Sequence, residues 1–305
     1  MAKLSAVVSV YNEEKNIEKC LKSLQFADEI IVVDNGSTDK TAEIVKKYTD
    51  KIFSQKNEPQ KIDILKNFGI EKATSEWILI IDADEQVTPE LANEIRSILK
   101  EQRTKNKEQI TGYWIPRKNY IFGKWIQNAG WYPDLQLRLV KRGKGKYNSL
   151  HVHEPLKVEG DTKQLSQFIN HNNYENISQF LSKTAVYARN EADSILKNDY
   201  NFSYLDAIRF PIKEFLSRFF ARKGYKDGLH GLMLSMLMAF YHFIIFAFIW
   251  EKKGFTEENA DNFLEEVGAE LKRGGNEIDY WIKKEKYDNI KNPLKRSLAK
   301  IKGKI

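Results

Sequence analysis

The sequence predicts an α/β protein: a mostly parallel, doubly wound sheet over residues 1–175, followed by a helical region over 176–305. Three observations predict it. Strand-like and helix-like blocks alternate through the first hundred residues, the order that builds a parallel sheet with right-handed crossovers. One of those blocks, Trp77-Ile78-Leu79-Ile80-Ile81, is apolar and β-branched throughout, as in a strand covered on both faces. After about Asn176 the strand-like patterns cease, and residues 228–250 carry no Lys, Arg, Asp or Glu.

Taken in order, "LSAVVSV" predicts the first strand and Lys15 to Leu24 a helix. "EIIVVD" predicts the second strand, and "STDKTAEIVKKY" opens a helix with Ser37 as its expected N-cap. "KIF" is a short strand before a helix near Gln60 to Ala73. "WILIID" follows, then a helix near Pro89 to Glu101. Strand-like pieces return in "GYWIPRKNY", "LQLRLVKR" and "HVHEPLKV". In "SYLDAIRFPIKEFLSRFFARK", Leu205, Ile208, Ile212, Phe215 and Phe219 recur at helical spacing. Arg209, Lys213, Arg218 and Arg222 fall largely on other faces.

At 305 residues and 42% apolar composition the chain can build a substantial core. A single cysteine, Cys20, excludes an internal disulfide framework and a cysteine-based zinc site, and fits a reducing compartment. The N-terminus enters a strand directly, so no signal peptide is expected. The net charge of +7 is concentrated at one end: from Lys283 onward there are nine basic and two acidic residues, leaving 40 of each before it. Such a tail attracts anionic surfaces. Anionic lipid is the expected partner and nucleic acid is not.

Acids gather where candidate strands end. "VSVYNEE" places Glu13 and Glu14 after the first strand, "IIVVDNGSTDKT" ends the second in Asp34, and "IIDADE" ends another in Asp82, Asp84 and Glu85. Charges are not tolerated inside a doubly covered sheet, so these acids belong just past its carboxyl edge, where open α/β sheets bind ligands. Two aspartates one residue apart can hold a hard divalent cation. The competing reading is an acidic approach to a helix starting at Thr88-Pro89-Glu90. Neither GxGxxG nor GxxxxGK[ST] occurs.

The stretches "AVVSVYNEEKNIEKCLKSL", "DEIIVVDNGSTDKTAEI" and "KNFGIEKATSEWILIIDADE" together resemble the inverting family 2 glycosyltransferases of GT-A fold. "GKWIQNAGWYPDLQLRLVKR" and "LHVHEPL" extend the likeness toward members that build lipopolysaccharide cores or related surface glycans. The resemblance covers about residues 4–175 and implies a hexosyltransferase using Mn2+ or Mg2+. It implies that Tyr11 and Glu13 line the uracil and ribose pocket and that Asp34 accepts a hydrogen bond from the base. Lys66, Asn67 and Arg138 join the nucleotide-sugar site. Asp82 serves ribose or cation-bound water, Asp84 ligates the cation, and His171 completes its shell. Glu154 is the expected general base, with Asp134 as substitute; the alternative for Glu154 is a simple ion pair with a base such as Arg138. His153 supports Glu154 or the phosphates, and His151 is structural.

The expected donor is a UDP-sugar and the expected acceptor a lipid-linked saccharide. Residues 228–250 are long enough to span a bilayer. They follow a basic amphipathic stretch, which reads better as attachment in the plane of the membrane, at the cytoplasmic face of the plasma membrane. Two alternatives stay open. One is transfer to polyprenyl phosphate, already ionised and needing no base. The other is a non-catalytic, membrane-docked nucleotide-sugar-binding protein, which donor hydrolysis with and without Mn2+ would distinguish.

Overall fold

The structure, a computed structural model, describes residues 2–58, 62–101, 110–148, 156–257 and 261–290. The chain separates into two compact units: residues 1–127 with 131–181, and residues 128–130 with 182–305.

In the first unit, β1 (Leu4–Val10), α1 (Ile17–Ser23), β2 (Glu29–Asp34), α2 (Thr41–Val45), β3 (Ile52–Ser54), α3 (Ile62–Lys72), β4 (Trp77–Asp82), β5 (Glu85–Val87) and α4 (Pro89–Glu101) come first. Then follow β6 (Ile110–Ile121), β7 (Lys124–Trp125), β8 (Asp134–Lys141), β9 (Gly145–Lys146), β10 (Lys157–Val158), β11 (Asp161–Gln164) and β12 (Ile169–Tyr174). The main sheet runs β3-β2-β1-β4-β8-β6-β12-β5, with β7 and β11 also on β6. β3, β2, β1 and β4 are mutually parallel; β8 adds antiparallel to β4. This is the α/β class the sequence predicts, its sheet mostly parallel at the end that carries the acids.

The parallel strands are buried on both faces, as their apolar runs require. Ala6, Val8, Val10, Val32, Leu79 and Ile81 point into a core closed by Ile17, Leu21 and Leu24 of α1 and Leu91, Ile95 and Leu99 of α4. Val7, Ile31, Ile78 and Ile80 point the other way, toward Ile70 and Ala73. The strand period of two assigns alternate residues to opposite layers. On that second side α3 comes so close that a Cβ on Gly69 would sit 2.5 Å from Val7 Cγ1.

Some boundaries differ from expectation. Ser37 caps no helix: its hydroxyl accepts the Asn12 amide, while α2 starts at Thr41, whose N–H donates to Asp39. Of "HVHEPLKV", residues 151–155 lie outside the described residues.

In the second unit, α5 (Ile177–Lys197) leads to α6 (Asp206–Leu216), a π-helical turn over Ser217–Ala221, α7 (Leu229–Lys252) and α8 (Phe263–Asp288). Ala188 and Ala192 pack against Ile245 and Ile249 in its core. Residues 128–130 are gripped by this unit: Asn128 N–H donates to Asp227, Ala129 N–H to the Arg222 carbonyl, and Arg218 to the Ala129 carbonyl. Of the basic residues expected largely on faces other than the apolar one, two are paired here, Arg209 with Glu270 and Arg218 with Glu214. Arg209 is drawn to a carboxylate on α8, and Arg218 to one a turn earlier in its own helical run.

Candidate active site

The parallel register brings the acid-bearing strand ends together. Val10 lies opposite Asp34, and Ser9 opposite Asp82, so Tyr11, Asp34 and Asp82 share the carboxyl edge. Tyr11 is 44% exposed there. The first two loops are tied to each other. Asn12 accepts the Thr38 amide, the Glu13 amide donates to Thr41 Oγ1, and Asp34 accepts the Ser37 amide. Glu13 itself accepts from the Asn16 side chain.

The three acids from the end of β4 to the start of β5 are not the cap of α4. Thr88 does that work, accepting the Leu91 amide ahead of Pro89 in the first turn. Asp82 instead lies between two buried cations: Lys66 Nζ is 2.7 Å from one oxygen and Arg138 donates to the other. Burial alone would raise the Asp82 carboxyl, but Arg138 and Lys66 outweigh it and hold it well below the usual carboxylate range. Glu85, fully buried, accepts from Arg138 at 2.9 Å, from Arg117 at 3.0 Å and from the Asp82 amide at 2.9 Å. A buried carboxylate needs such partners to stay ionised.

The network continues through β8 and β6, where Asp134 lies directly opposite Arg117. Asp134 accepts Arg117 Nε at 2.8 Å and Nη2 at 2.6 Å, Asn119 Nδ2 at 3.1 Å and Gln136 Nε2 at 2.8 Å. Burial raises its carboxyl and Arg117 with these amides lowers it, the lowering prevailing. A carboxylate so occupied takes up a proton less readily than an ordinary one. Asn119 in turn faces His171 across the β6–β12 pair, and His171 Nδ1 is 2.7 Å from Asn119 Oδ1. The other imidazole nitrogen, Nε2, lies 3.5 Å from Asp84 Oδ2.

That last pair suits a cation. An imidazole nitrogen and a carboxylate oxygen are donors that Mn2+ accepts, and Mg2+ accepts the carboxylate. Among the described residues no group of three His, Cys, Asp or Glu side chains could hold a metal ion. Two protein donors nonetheless fit the usual pattern for a cation bound together with substrate phosphates and water.

Asp84 and His171 thus stand together, as do Asp82, Lys66 and Arg138. Lys66 and Arg138 are buried and spend their charge on Asp82 and also, for Lys66, on Asp63 and, for Arg138, on Glu85. Asn67 is a strap: its amide both donates to and accepts from the Tyr147 backbone, at 2.8 and 3.0 Å. Glu154, His151 and His153 lie outside the described residues. Sequence reasoning placed Glu85 at the carboxyl edge without a role of its own, and missed Arg117 and Asn119. Their signal was polar residues inside strands, the run Arg117-Lys-Asn119 and the period-two alternation Asp134-Leu-Gln136-Leu-Arg138, where apolar residues alone would serve a core.

Residues 5–148 match the family described as Glycosyl transferase family 2. A lipopolysaccharide core biosynthesis glycosyltransferase, LpsC, of Rhizobium meliloti (strain 1021) is 30% identical over 267 residues, covering 86% of this chain and 97% of that protein. An uncharacterized glycosyltransferase of Rickettsia typhi is 27% identical over 257 residues, covering 80% of this chain and 85% of its own. Among solved structures, S. aureus TarS 1-349 in complex with UDP aligns with TM-score 0.43 and 16% identity, over 84% of this chain and 93% of that one. With a relative this similar matched along nearly its whole length, the chain belongs to glycosyl transferase family 2.

Proposed function

We propose that the protein transfers a sugar, with inversion, from a UDP-linked donor to a lipid-anchored saccharide during assembly of a bacterial surface glycan. The observation that carries this is the convergence of Tyr11, Asp34, Asp82 and the Asp84–His171 pair at one carboxyl edge. The role of the Rhizobium relative, lipopolysaccharide core biosynthesis, supports the acceptor class.

In this reading Tyr11, Glu13 and Asp34 receive the nucleoside. Asp84 and His171 hold Mn2+ or Mg2+, which when bound neutralises charge developing on the diphosphate leaving group. Asp82 anchors Lys66 and Arg138, and this keeps the β4 end rigid beneath the donor. Glu154 takes the proton from the acceptor hydroxyl; Asp134, held by Arg117, positions its neighbours instead.

Membrane attachment suits a lipid-anchored acceptor, and α7 supports it. It is the one helix among the described residues long and apolar enough to cross a membrane, with mean hydropathy 2.2. Its residues Gly231, Leu234, Ala239, Ile245 and Ile249 are buried in its own unit. Leu229, Met233, Met236, Phe240, Phe243 and Trp250 are exposed at heptad-like spacing along one stripe. A helix with one face in the protein and an apolar stripe outside is suited to lie in the lipid interface at the cytoplasmic face.

Purified protein should be stabilised against heat by UDP-sugars in the presence of Mn2+ and much less without it. Asp84→Ala should abolish that dependence and transfer while remaining folded. Glu154→Gln should bind donor normally yet turn over at least about 10²-fold more slowly. A folded Asp84→Ala protein with wild-type, Mn2+-dependent turnover would remove the cation from this site.

A further inference from the structure

We propose that Asn119 is a positioning residue: it locks the His171 imidazole in the Nδ1–H tautomer, so that the Nε2 lone pair is what faces Asp84. The inference deepens the cation reading above and rests on it for its consequence, though not for its geometry.

Asn119 is fully buried in β6, directly opposite His171 of β12. Which end of its amide faces the histidine is decided by the other end. Asn119 Nδ2 lies 2.7 Å from the Trp131 carbonyl and 3.1 Å from Asp134 Oδ2. Both of those atoms only accept hydrogen bonds, and Asp134 is held ionised by Arg117. The amide nitrogen must therefore be at that end, and the oxygen at the other. Asn173 Nδ2, donating to Asn119 Oδ1 at 3.3 Å, agrees. The Asn119 oxygen accepts only, so His171 Nδ1, at 2.7 Å, must carry the proton.

A neutral imidazole has one N–H. With it committed to Asn119, the ring presents Nε2 as an acceptor toward Asp84 Oδ2, itself an acceptor, 3.5 Å away. An Nε2 lone pair beside a carboxylate oxygen is a pair of donors suited to a divalent cation bound together with donor phosphates. This is the arrangement by which a supporting hydrogen bond fixes a histidine ligand's tautomer and orientation. The backbone keeps the distance: His171 is in register with Glu85 across β5–β12, and the Asn172 amide donates to the Asp84 carbonyl at 2.9 Å.

The test reads the ring itself. The chain has only five histidines, so long-range proton–nitrogen NMR of labelled protein, with His171→Gln to assign the resonance, can report the tautomer. At about pH 8.5, where an ordinary histidine is neutral, metal-free wild type should show a protonated Nδ1 and an unprotonated Nε2. In Asn119→Leu, checked for a native melting transition, that preference should be lost, and Mn2+ affinity in the presence of UDP should fall about 10- to 100-fold. An Nε2–H tautomer in the wild type overturns the proposal, and this arm needs no folded variant. So does an Asn119→Leu protein with the wild-type tautomer and Mn2+ affinity. Wild type with the expected tautomer but no Mn2+ binding leaves the positioning role standing and removes the cation reading.

Discussion

Arg138 shows how much of this site is bound up in single groups. Its guanidinium touches Asp82 and Glu85 together, and burial leaves Glu85 no water to replace it. Arg138→Met should therefore lower the denaturant midpoint, at a cost of about 1–3 kcal/mol, the usual result of a lost charged hydrogen bond, since Lys66 still pairs with Asp82 and Arg117 with Glu85. At the opposite end of the sheet, Glu29 is a purely architectural counterpart. Burial raises its carboxyl, but Lys51, Ser5 and Thr74 donate to it and bring it down to about 2 from an ordinary 4.5. Its folded form is thus the stronger acid. The stability it contributes is present above pH 4.5 and is lost as pH falls through that range toward 2. Urea midpoints between pH 7 and pH 2 should fall less steeply for Glu29→Gln than for wild type, from a lower start.

At the scale of elements, α3 rests on β1 and β2 through Gly69, where a methyl group would collide with the Val7 and Val33 side chains. Gly69→Ala should cost about 1–3 kcal/mol despite improving helix propensity, measurable as a drop in Tm. On α7, Met236→Glu with Phe240→Glu should abolish sedimentation with anionic liposomes while leaving Tm unchanged, since both side chains are exposed; undiminished binding would place the attachment elsewhere. The parallel strands were legible because a doubly buried strand must be an unbroken apolar run, and "WILIID" and "EIIVVD" have no other good use. β12, "INHNNY", was not legible as a strand. It has little apolar alternation, and its place comes from pairing with β6 and with β5, more than eighty residues earlier in the chain. The same reason hid half the site. Asp82 and Asp84 announce themselves by ending an apolar run, whereas Arg117 and Asn119 matter only because register sets them opposite Asp134 and His171.

For the molecule as a whole, the division of labour follows the sequence's change of rhythm: a sheet whose edge collects charge, then helices whose exposed stripe is apolar. The second unit, however, is not a contiguous length of chain. Its Asn128–Gly130 strip arrives from the loop between β7 and β8, and the Asp227, Arg218 and Arg222 bonds hold it. No single scission therefore yields both halves whole. A fragment of residues 182–305 made alone lacks three of its own residues, and Asp227 loses the Asn128 amide. Such a fragment should melt without a cooperative transition in circular dichroism, and a sharp transition would show the strip to be dispensable. Modular exchange inherits the same constraint: a helical unit grafted onto a relative's sheet must find, in a loop more than fifty residues upstream, a backbone shaped to fit it.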